Sequence, residues 1–554
     1  MKYHKKSFNY LFATFVLASQ AINYPEAEFM KGSDSFEFAT MSKFIIHEGM
    51  LIWLLTPLSY IGLYPFSEVS GASIIISTIS VTFGLSIERS IFFFCSFISF
   101  ILFSVSFLFF RLLTRENFSA LIGAYVITTS RMVVKGLNWT LHPRTLYFIL
   151  FVLIIFLIQK SFRKNKVNFK FLSISFFALI TSITFHNIFL LGVLAIISIL
   201  IWSILSNSRF FNIRVFEAEG TKWPLFLMTL IIIIGLALPF TSYGLYQPSI
   251  ENYSSGIVDG TTLFHIYFNL SFDYAMAIGL PIILAPLSLL GILDYKKRYS
   301  YPYLAMFLLP ILSPFLIDSQ YILYISSIII FICILFGVKN IFIMFEKNSY
   351  VVLSLSIIIL FSAFVPEYLV SPRETKSPLY SPGTTSSMNP ETFNLGLYLN
   401  NNLEEGSFVC NDVRLARKLA FVSEKPIFTN SMGSIGDLIY SFKDPYGLRI
   451  EYRSDLDLQT IIDSKVNVFV EAPEPAQFQY SRMINSEFED HNTGLYLDYY
   501  DVRLVVVNNF MRDKAPIPIA PNVVEIKHSP FFSSVNGNSY PIYSDEIHTT
   551  YLLN

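Results

Sequence analysis

A polytopic α-helical membrane protein with a C-terminal soluble α/β domain is the fold class this sequence predicts. Three observations predict it. Of the 554 residues, 53% are hydrophobic and only 14% charged, with a mean hydropathy of +0.52; a soluble domain carries about 25% charge. Apolar runs approaching the length of a bilayer crossing, about 20 residues, recur from the N-terminus to residue 366. From 367 the chain turns to Pro, Ser and Thr and then to short apolar runs separated by polar turns, which reads as a linker followed by a water-soluble domain.

The spans fall at 7–23, 90–110, 118–134, 143–159, 171–185, 187–205, 223–245, 273–293, 301–317, 320–338 and 349–366, about 11 in all. Lys and Arg orient them. Lys2, Lys5 and Lys6 hold the N-terminus inside. The clusters Lys160, Arg163, Lys164, Lys166, Lys170 and Lys296, Lys297, Arg298 belong on the same side. Loops 246–272 and 318–319 contain no Lys or Arg and suit the outside. This alternation predicts an N-in/C-out topology, provided that 50–87 contributes an even number of crossings. Its runs 50–66 and 71–87 are short and carry Pro57, Pro65 and Gly71. They form either a two-span hairpin or helices lying against the outer surface. The expected organisation is a transmembrane domain 1–366 with a long first outer loop 24–89, a linker 367–389 and an extracytoplasmic α/β domain 390–554, in an integral plasma membrane protein.

Within the last domain, strands are expected at 408–410, 426–428, 466–470 and 503–507, and helices at 413–421, capped by Asn411 or Asp412, and at 456–463. Asn536-Gly537 reads as a hairpin turn. The three cysteines, Cys95, Cys333 and Cys410, do not fix a compartment. The net charge of −1 leaves no global basic field for a nucleic-acid partner.

The polar residues of the membrane region collect on the predicted outer side. Asp34, Glu37, His47 and Glu48 lie in the first outer loop, His142 in the second, and His265 and Asp318 in later ones. Hydrocarbon excludes charge, which by itself places such residues in loops. Asp34 follows the first span directly and leads a helix that carries Lys43 and ends in His47-Glu48-Gly49. That arrangement resembles the first outer loop of the GT-C superfamily of glycosyltransferases, in particular the catalytic subunit of oligosaccharyltransferases. Tyr64-Pro65 with Gly71-Ala-Ser, Thr114-Arg-Glu116, and Arg131 to Gly136 resemble later motifs of that subunit in order and spacing, over about 1–160.

The resemblance implies a GT-C-like fold and transfer of sugar from a lipid-phosphate donor at the outer face, with Asp34 catalytic. It departs in the second outer loop, Leu137-Asn-Trp-Thr-Leu-His142-Pro-Arg144, which lacks the acid pair that helps oligosaccharyltransferases bind a divalent metal. The Trp-Trp-Asp-x-Gly acceptor motif is also missing from the C-terminal domain. Asp34 alone is a poor ligand set for Mg or Mn, which want several oxygens, so no cofactor is predicted. Single-sugar transfer from a polyprenyl-phosphate (dolichyl-phosphate-like) sugar to a glycan, lipid or protein acceptor fits better, as in the protein mannosyltransferases.

Inverting transfer needs a base for the acceptor hydroxyl, for which Asp34 is the candidate and Glu37 its nearest substitute. It also needs cationic groups on the departing phosphate: Arg131, Lys135, His142 and Arg144. Arg131 and Arg144 fit snorkelling helix-end positions equally. His47, Glu48, His265 and Asp318 are candidate substrate contacts. The alternatives are a lipid or glycan transporter or flippase, oligosaccharyltransferase-like transfer to protein, and a surface-layer assembly protein. Ion-coupled transporters place ionisable groups at mid-bilayer, whereas these spans are nearly free of charge.

Overall fold

A computed structural model describes residues 5–48 without 25–28, 70–185 without 163–166, 319–344, 387–428 without 405 and 426, and 476–553 without 500, 513 and 521–522. It also describes the positions 192–193, 196–197, 354, 357 and 359–360. In chain order the helices are α1 (Lys5–Ile22), α2 (Ser33–Glu48), α3 (Ser70–Phe83), α4 (Ile87–Thr114), α5 (Asn117–Thr128), α6 (Arg131–Leu137), α7 (Pro143–Ser161), α8 (Phe169–Ile183) and α9 (Ser319–Met344). The C-terminal part follows as α10 (Pro390–Asn402), β1 (Ser407–Cys410), α11 (Val413–Ser423), β2 (Ile427–Phe428), α12 (Ala476–Asn485), α13 (His491–Tyr499), β3 (Val502–Asn508), β4 (Lys514–Ala520), β5 (Val523–His528), α14 (Pro530–Asn538), β6 (Tyr540–Ser544) and β7 (His548–Leu552). The chain forms two compact units: residues 1–24 with 94–370, and residues 25–93 with 371–554.

In the first unit, helices stand where five of the expected spans lie: at 7–23, 90–110, 143–159, 171–185 and 320–338. Among the described residues, α4 and α7 are each long and apolar enough to cross a membrane. The expected span 118–134 is not one straight helix. It breaks into α5 and α6 with a bend of 58°. The sequence explains the break, because three hydroxyl residues in a row stand there. Thr128 and Thr129 donate to the carbonyls of Ala124 and Tyr125 (2.8 Å each), and Ser130 donates to that of Ile127 (2.7 Å). Such back-bonding competes with the helical ladder and bends it. The expected spans 187–205, 223–245, 273–293, 301–317 and 349–366 lie wholly or largely outside the described residues.

Phenylalanine serves two purposes in this unit. Phe12 of α1 packs edge-on against Phe103 and Phe107 of α4, and Phe15 against Tyr125 of α5 (5.0 Å between centroids). Others, such as Phe97, Phe176 and Phe177, are exposed, as an apolar solvent allows. The Thr114-Arg-Glu116 turn is structural. Arg115 adopts φ 57°, and Glu116 caps α5 by accepting from the backbone N–H groups of Phe118 (2.8 Å) and Ser119.

In the second unit, α2 and α3 are laced together by serines. Ser42 donates to the Ser73 carbonyl (3.2 Å), Ser73 to that of Phe38 (3.1 Å) and Ser77 to that of Ser42 (3.0 Å). Small hydroxyl residues let helix backbones approach and supply the bonds across them. The C-terminal residues form a five-stranded sheet, order β2-β1-β3-β7-β6, with β2, β1 and β3 parallel and β7 and β6 antiparallel, plus the separate β4-β5 hairpin.

Strand β3 shows why the sheet is covered on both faces. Val505 and Val507 pack with Met483, Phe531 and Val535 from α12 and α14. Leu504 and Val506 pack with Leu395, Leu399, Leu415 and Leu419 from α10 and α11. A strand buried on both sides reads as a continuous apolar run. The expected hairpin turn at Asn536-Gly537 is overturned, for both residues lie inside α14. Ser529 caps that helix, Pro530 starts it, and Phe531, Phe532 and Val535 bury one face, which outweighs the local turn preference. The expected elements 456–463 and 466–470 lie outside the described residues.

One buried polar chain ties α10 to β7. Thr392 faces Nε2 of His548 at 3.3 Å, and Nδ1 of His548 meets Asp545 at 3.2 Å. Both Thr392 and His548 are fully buried. Burial holds the His548 pKa below its ordinary 6.5, against the pull of Asp545. A histidine disfavoured as the cation contributes stability that is present above the unfolded pKa and is lost as pH falls below it. Protection factors in α10 and β7, which are exchange rates corrected for their intrinsic pH dependence, should therefore fall as the pH drops below 6.5, and His548→Gln should flatten that dependence. An equally steep profile in the variant would assign the transition to other groups.

Candidate active site

The site is built at the start of α2. Gly32 has φ 87°, a conformation that costs a side chain about 1–2 kcal/mol, and its carbonyl accepts from the Ser35 N–H (3.0 Å). The chain thus turns sharply into α2 and sets Asp34 in the first helical turn, where the helix dipole favours a carboxylate. Before the turn, Lys31 bridges to Ser387 and the Phe29 ring packs on Phe393 (5.2 Å), so the lead-in is tied to the C-terminal residues.

Asp34 and Glu37 are three apart and share a helix face. Both meet one guanidinium. Arg417 of α11 places Nη1 3.2 Å from Asp34 Oδ1 and Nη2 3.1 Å from Glu37 Oε2. The Asp34 side chain is 44% exposed, that of Glu37 11% and that of Arg417 21%. Further along the same helix pair, Lys43 donates to the Phe421 carbonyl (2.8 Å), pairs with Glu424 (2.7 Å) and lies 4.3 Å over the Phe421 ring. Phe36 packs against that ring as well. His47, near the end of α2, is exposed, and the side chain of Glu48 lies outside the described residues.

The expected phosphate-binding residues stand in the first unit. Arg131 and Lys135 are four apart on α6, on one face of it. His142 is the N-cap residue of α7, with Pro143 and Arg144 beginning the helix, and its ring stacks on Tyr324 at 6.3 Å. The connection passes through Trp139 at φ 52° and is closed by Gly136, where a Cβ would stand 1.9 Å from Thr145 Oγ1. Gly136→Ala should therefore destabilise the α6–α7 corner by about 1–3 kcal/mol, as overpacking does. Thermal unfolding of the detergent-solubilised protein reads this, and an unchanged midpoint would mean the corner has room to move. His265 and Asp318 lie outside the described residues.

Sequence reasoning missed Arg417. A signal existed in Val413-Arg-Leu-Ala-Arg417-Lys-Leu-Ala-Phe421. Leu415, Ala416 and Leu419 account for the sheet-facing stripe. Phe421 then falls with Arg414 and Arg417 on a second stripe at helical spacing, and a buried aromatic there marks a face that another element covers.

Neither a protein-family description nor a curated protein matches the sequence. Solved structures do match the fold. The archaeal oligosaccharyltransferase AglB from Archaeoglobus fulgidus, in complex with an inhibitory peptide and a dolichol-phosphate, aligns with a TM-score of 0.57 at 11% identity over 92% of this chain and 70% of that one. ArnT from Cupriavidus metallidurans, bound to undecaprenyl phosphate, aligns with a TM-score of 0.50 at 10% identity over 99% and 98%. The chain shares its fold with these two proteins. At these identities the likeness concerns the fold alone and not the reaction.

Another structure of the A. fulgidus enzyme is a complex with Zn and sulfate, with a TM-score of 0.53 at 12% identity over 91% of this chain and 68% of that one. The residues here do not suit a divalent cation at Asp34. Its Oδ1 and the Glu37 carboxylate are turned toward one shared guanidinium, whereas such an ion wants several oxygen ligands turned toward it. Among the described residues, no group of three or more His, Cys, Asp or Glu could hold a metal.

Proposed function

We propose that this chain is a membrane glycosyltransferase moving one sugar from a polyprenyl-phosphate-linked donor to an acceptor hydroxyl, with inversion. The observation that carries the reading is the half-buried, solvent-reachable Asp34 carboxylate, held in the first turn of α2, in a fold shared with structures solved with dolichol-phosphate and undecaprenyl phosphate. Asp34 takes the acceptor proton as the hydroxyl oxygen attacks the anomeric carbon. The bond to the phosphate oxygen breaks with both electrons going to the departing polyprenyl phosphate. Its negative charge calls for cationic partners, and Arg131, Lys135, His142 and Arg144 are the candidates. Arg is suited to bidentate phosphate contact. His47 and Glu48 remain candidate substrate contacts, as do His265 and Asp318. The acceptor is a glycan, lipid or protein hydroxyl in the cell envelope, and the enzyme works from the plasma membrane with its C-terminal domain outside.

The test is an assay of membranes containing the full chain, supplied with labelled polyprenyl-phosphate sugars. Label should pass to an acceptor in membranes with the parent chain and not in those with Asp34→Asn. Equal transfer by the two would rule the reading out.

A further inference from the structure

The C-terminal residues do more at this site than cover it. We propose that Arg417 is the positioning residue of Asp34, with Glu37 as the largely enclosed counter-anion that fixes the guanidinium; this rests on the glycosyltransferase reading above. The two acids differ in exposure. Asp34 keeps 44% of its side chain open while Glu37 keeps 11%, so Asp34 is the carboxylate a substrate can reach. Glu37 is nearly closed in and meets Arg417 at 3.1 Å. Its task is to hold the fork rather than to take a proton.

The fork geometry explains why the residue is an arginine. Nη1 and Nη2 address carboxylates on two different residues. A planar guanidinium does this with both donors fixed relative to each other, and a lysine, a single point charge on a flexible stem, does not. Without Arg417, two carboxylates on one helical turn would lose the cation that joins them. Repulsion would then turn Asp34 away from its present direction or protonate one of the pair.

The contact is separable from the packing of α2 on α11. That packing has its own fastenings: Lys43, further along α2, to the Phe421 carbonyl, ring and Glu424, and Phe36, between the two acids, against Phe421. Arg417 can therefore be changed with those fastenings left in place, and its effect should appear in the chemical step.

The experiment uses membranes containing the full chain and labelled polyprenyl-phosphate sugars, with kcat and the donor KM measured separately. Arg417→Met should lower kcat roughly a hundredfold, the cost of a misplaced catalytic group, with the donor KM changed by no more than about threefold. Arg417→Lys should restore only part of this, staying about tenfold below the parent because the second direction of the fork is lost. Lys43→Met, which loosens the same helix pair at a partly exposed ion pair, should stay within about threefold of the parent.

Parental kcat in Arg417→Lys or Arg417→Met, with Asp34→Asn inactive, would overturn the positioning role and leave the glycosyltransferase reading standing. A Lys43→Met variant as inactive as Arg417→Met would also overturn it, by showing a packing effect. Full activity in Asp34→Asn would bring down the glycosyltransferase reading and the role of Arg417 with it.

Discussion

Asp34→Asn should lower sugar transfer by about 10²–10⁴-fold, the range that a positioned general base contributes. The substitution is chosen to isolate the proton. Asparagine has the shape of aspartate and keeps an oxygen where Oδ1 accepts from Arg417 Nη1 at 3.2 Å, so α2 should remain seated. It has no basic site for the acceptor hydroxyl. Glu37, three residues on, is a poor replacement because its carboxylate is closed in and engaged by the other arm of the same guanidinium. The loss should appear at saturating donor as well as at low donor, since it removes an interaction made in the transition state. Initial rates at matched protein abundance in membranes measure it. A variant within a few-fold of the parent would mean that Asp34 is not the base.

What was legible in the chain follows from how local each signal is. The α11 helix with its Asp412 cap, and the strands β1, β2 and β3, were all expected near where they stand, because a cap or an apolar run acts over a few residues. The pairing of Arg417 with Asp34 spans 383 positions in sequence, and no local pattern encodes it. Only the misplaced aromatic on the second stripe of α11 hinted at a covering element. The bend between α5 and α6 was hidden for a different reason. Thr128, Thr129 and Ser130 are tolerated by hydropathy, so the run 118–134 read as continuous even though those hydroxyls divert the helix. Asn536-Gly537 misled in the opposite direction, since a strong turn dipeptide was overruled by a capped helix with three large buried side chains. At the site the first loop yielded Asp34 and Glu37 because acids are rare in an apolar chain. Their relative exposure, which divides their proposed roles, is a tertiary property.

Asp412→Ala should cost the C-terminal sheet region about 1–3 kcal/mol, the loss of a helix cap and of hydrogen bonds to a buried carboxylate. Asp412 accepts from the backbone N–H groups of Arg414 (2.9 Å) and Leu415 (3.4 Å) and from the Asn508 amide (3.4 Å). It is buried, and burial pushes its pKa above the usual carboxylate value against the pull of the Arg414 N–H and Lys418. Lys418 is also buried and donates to the Ser387 carbonyl at 2.9 Å. Burial brings its pKa down to about 8 from 10.5, with Asp412 pulling it back up. The sign for Lys418 follows from linkage: between pH 8 and 10.5 the unfolded chain binds more protons than the folded one, so stability rises with pH across that window. Taking away Asp412 removes the group that keeps Lys418 charged, and the window should open at a lower pH. In the double variant Asp412→Ala/Lys418→Met the buried ammonium left without its nearby counter-charge is gone, and part of the loss should return. The remaining deficit is the missing helix cap, about 1 kcal/mol. Hydrogen exchange of the α11 amides in the full-length protein, followed across pH, reads all three forms. A double variant at least as unstable as Asp412→Ala alone would show that Lys418 stabilises the region independently and that the two are not a compensating pair.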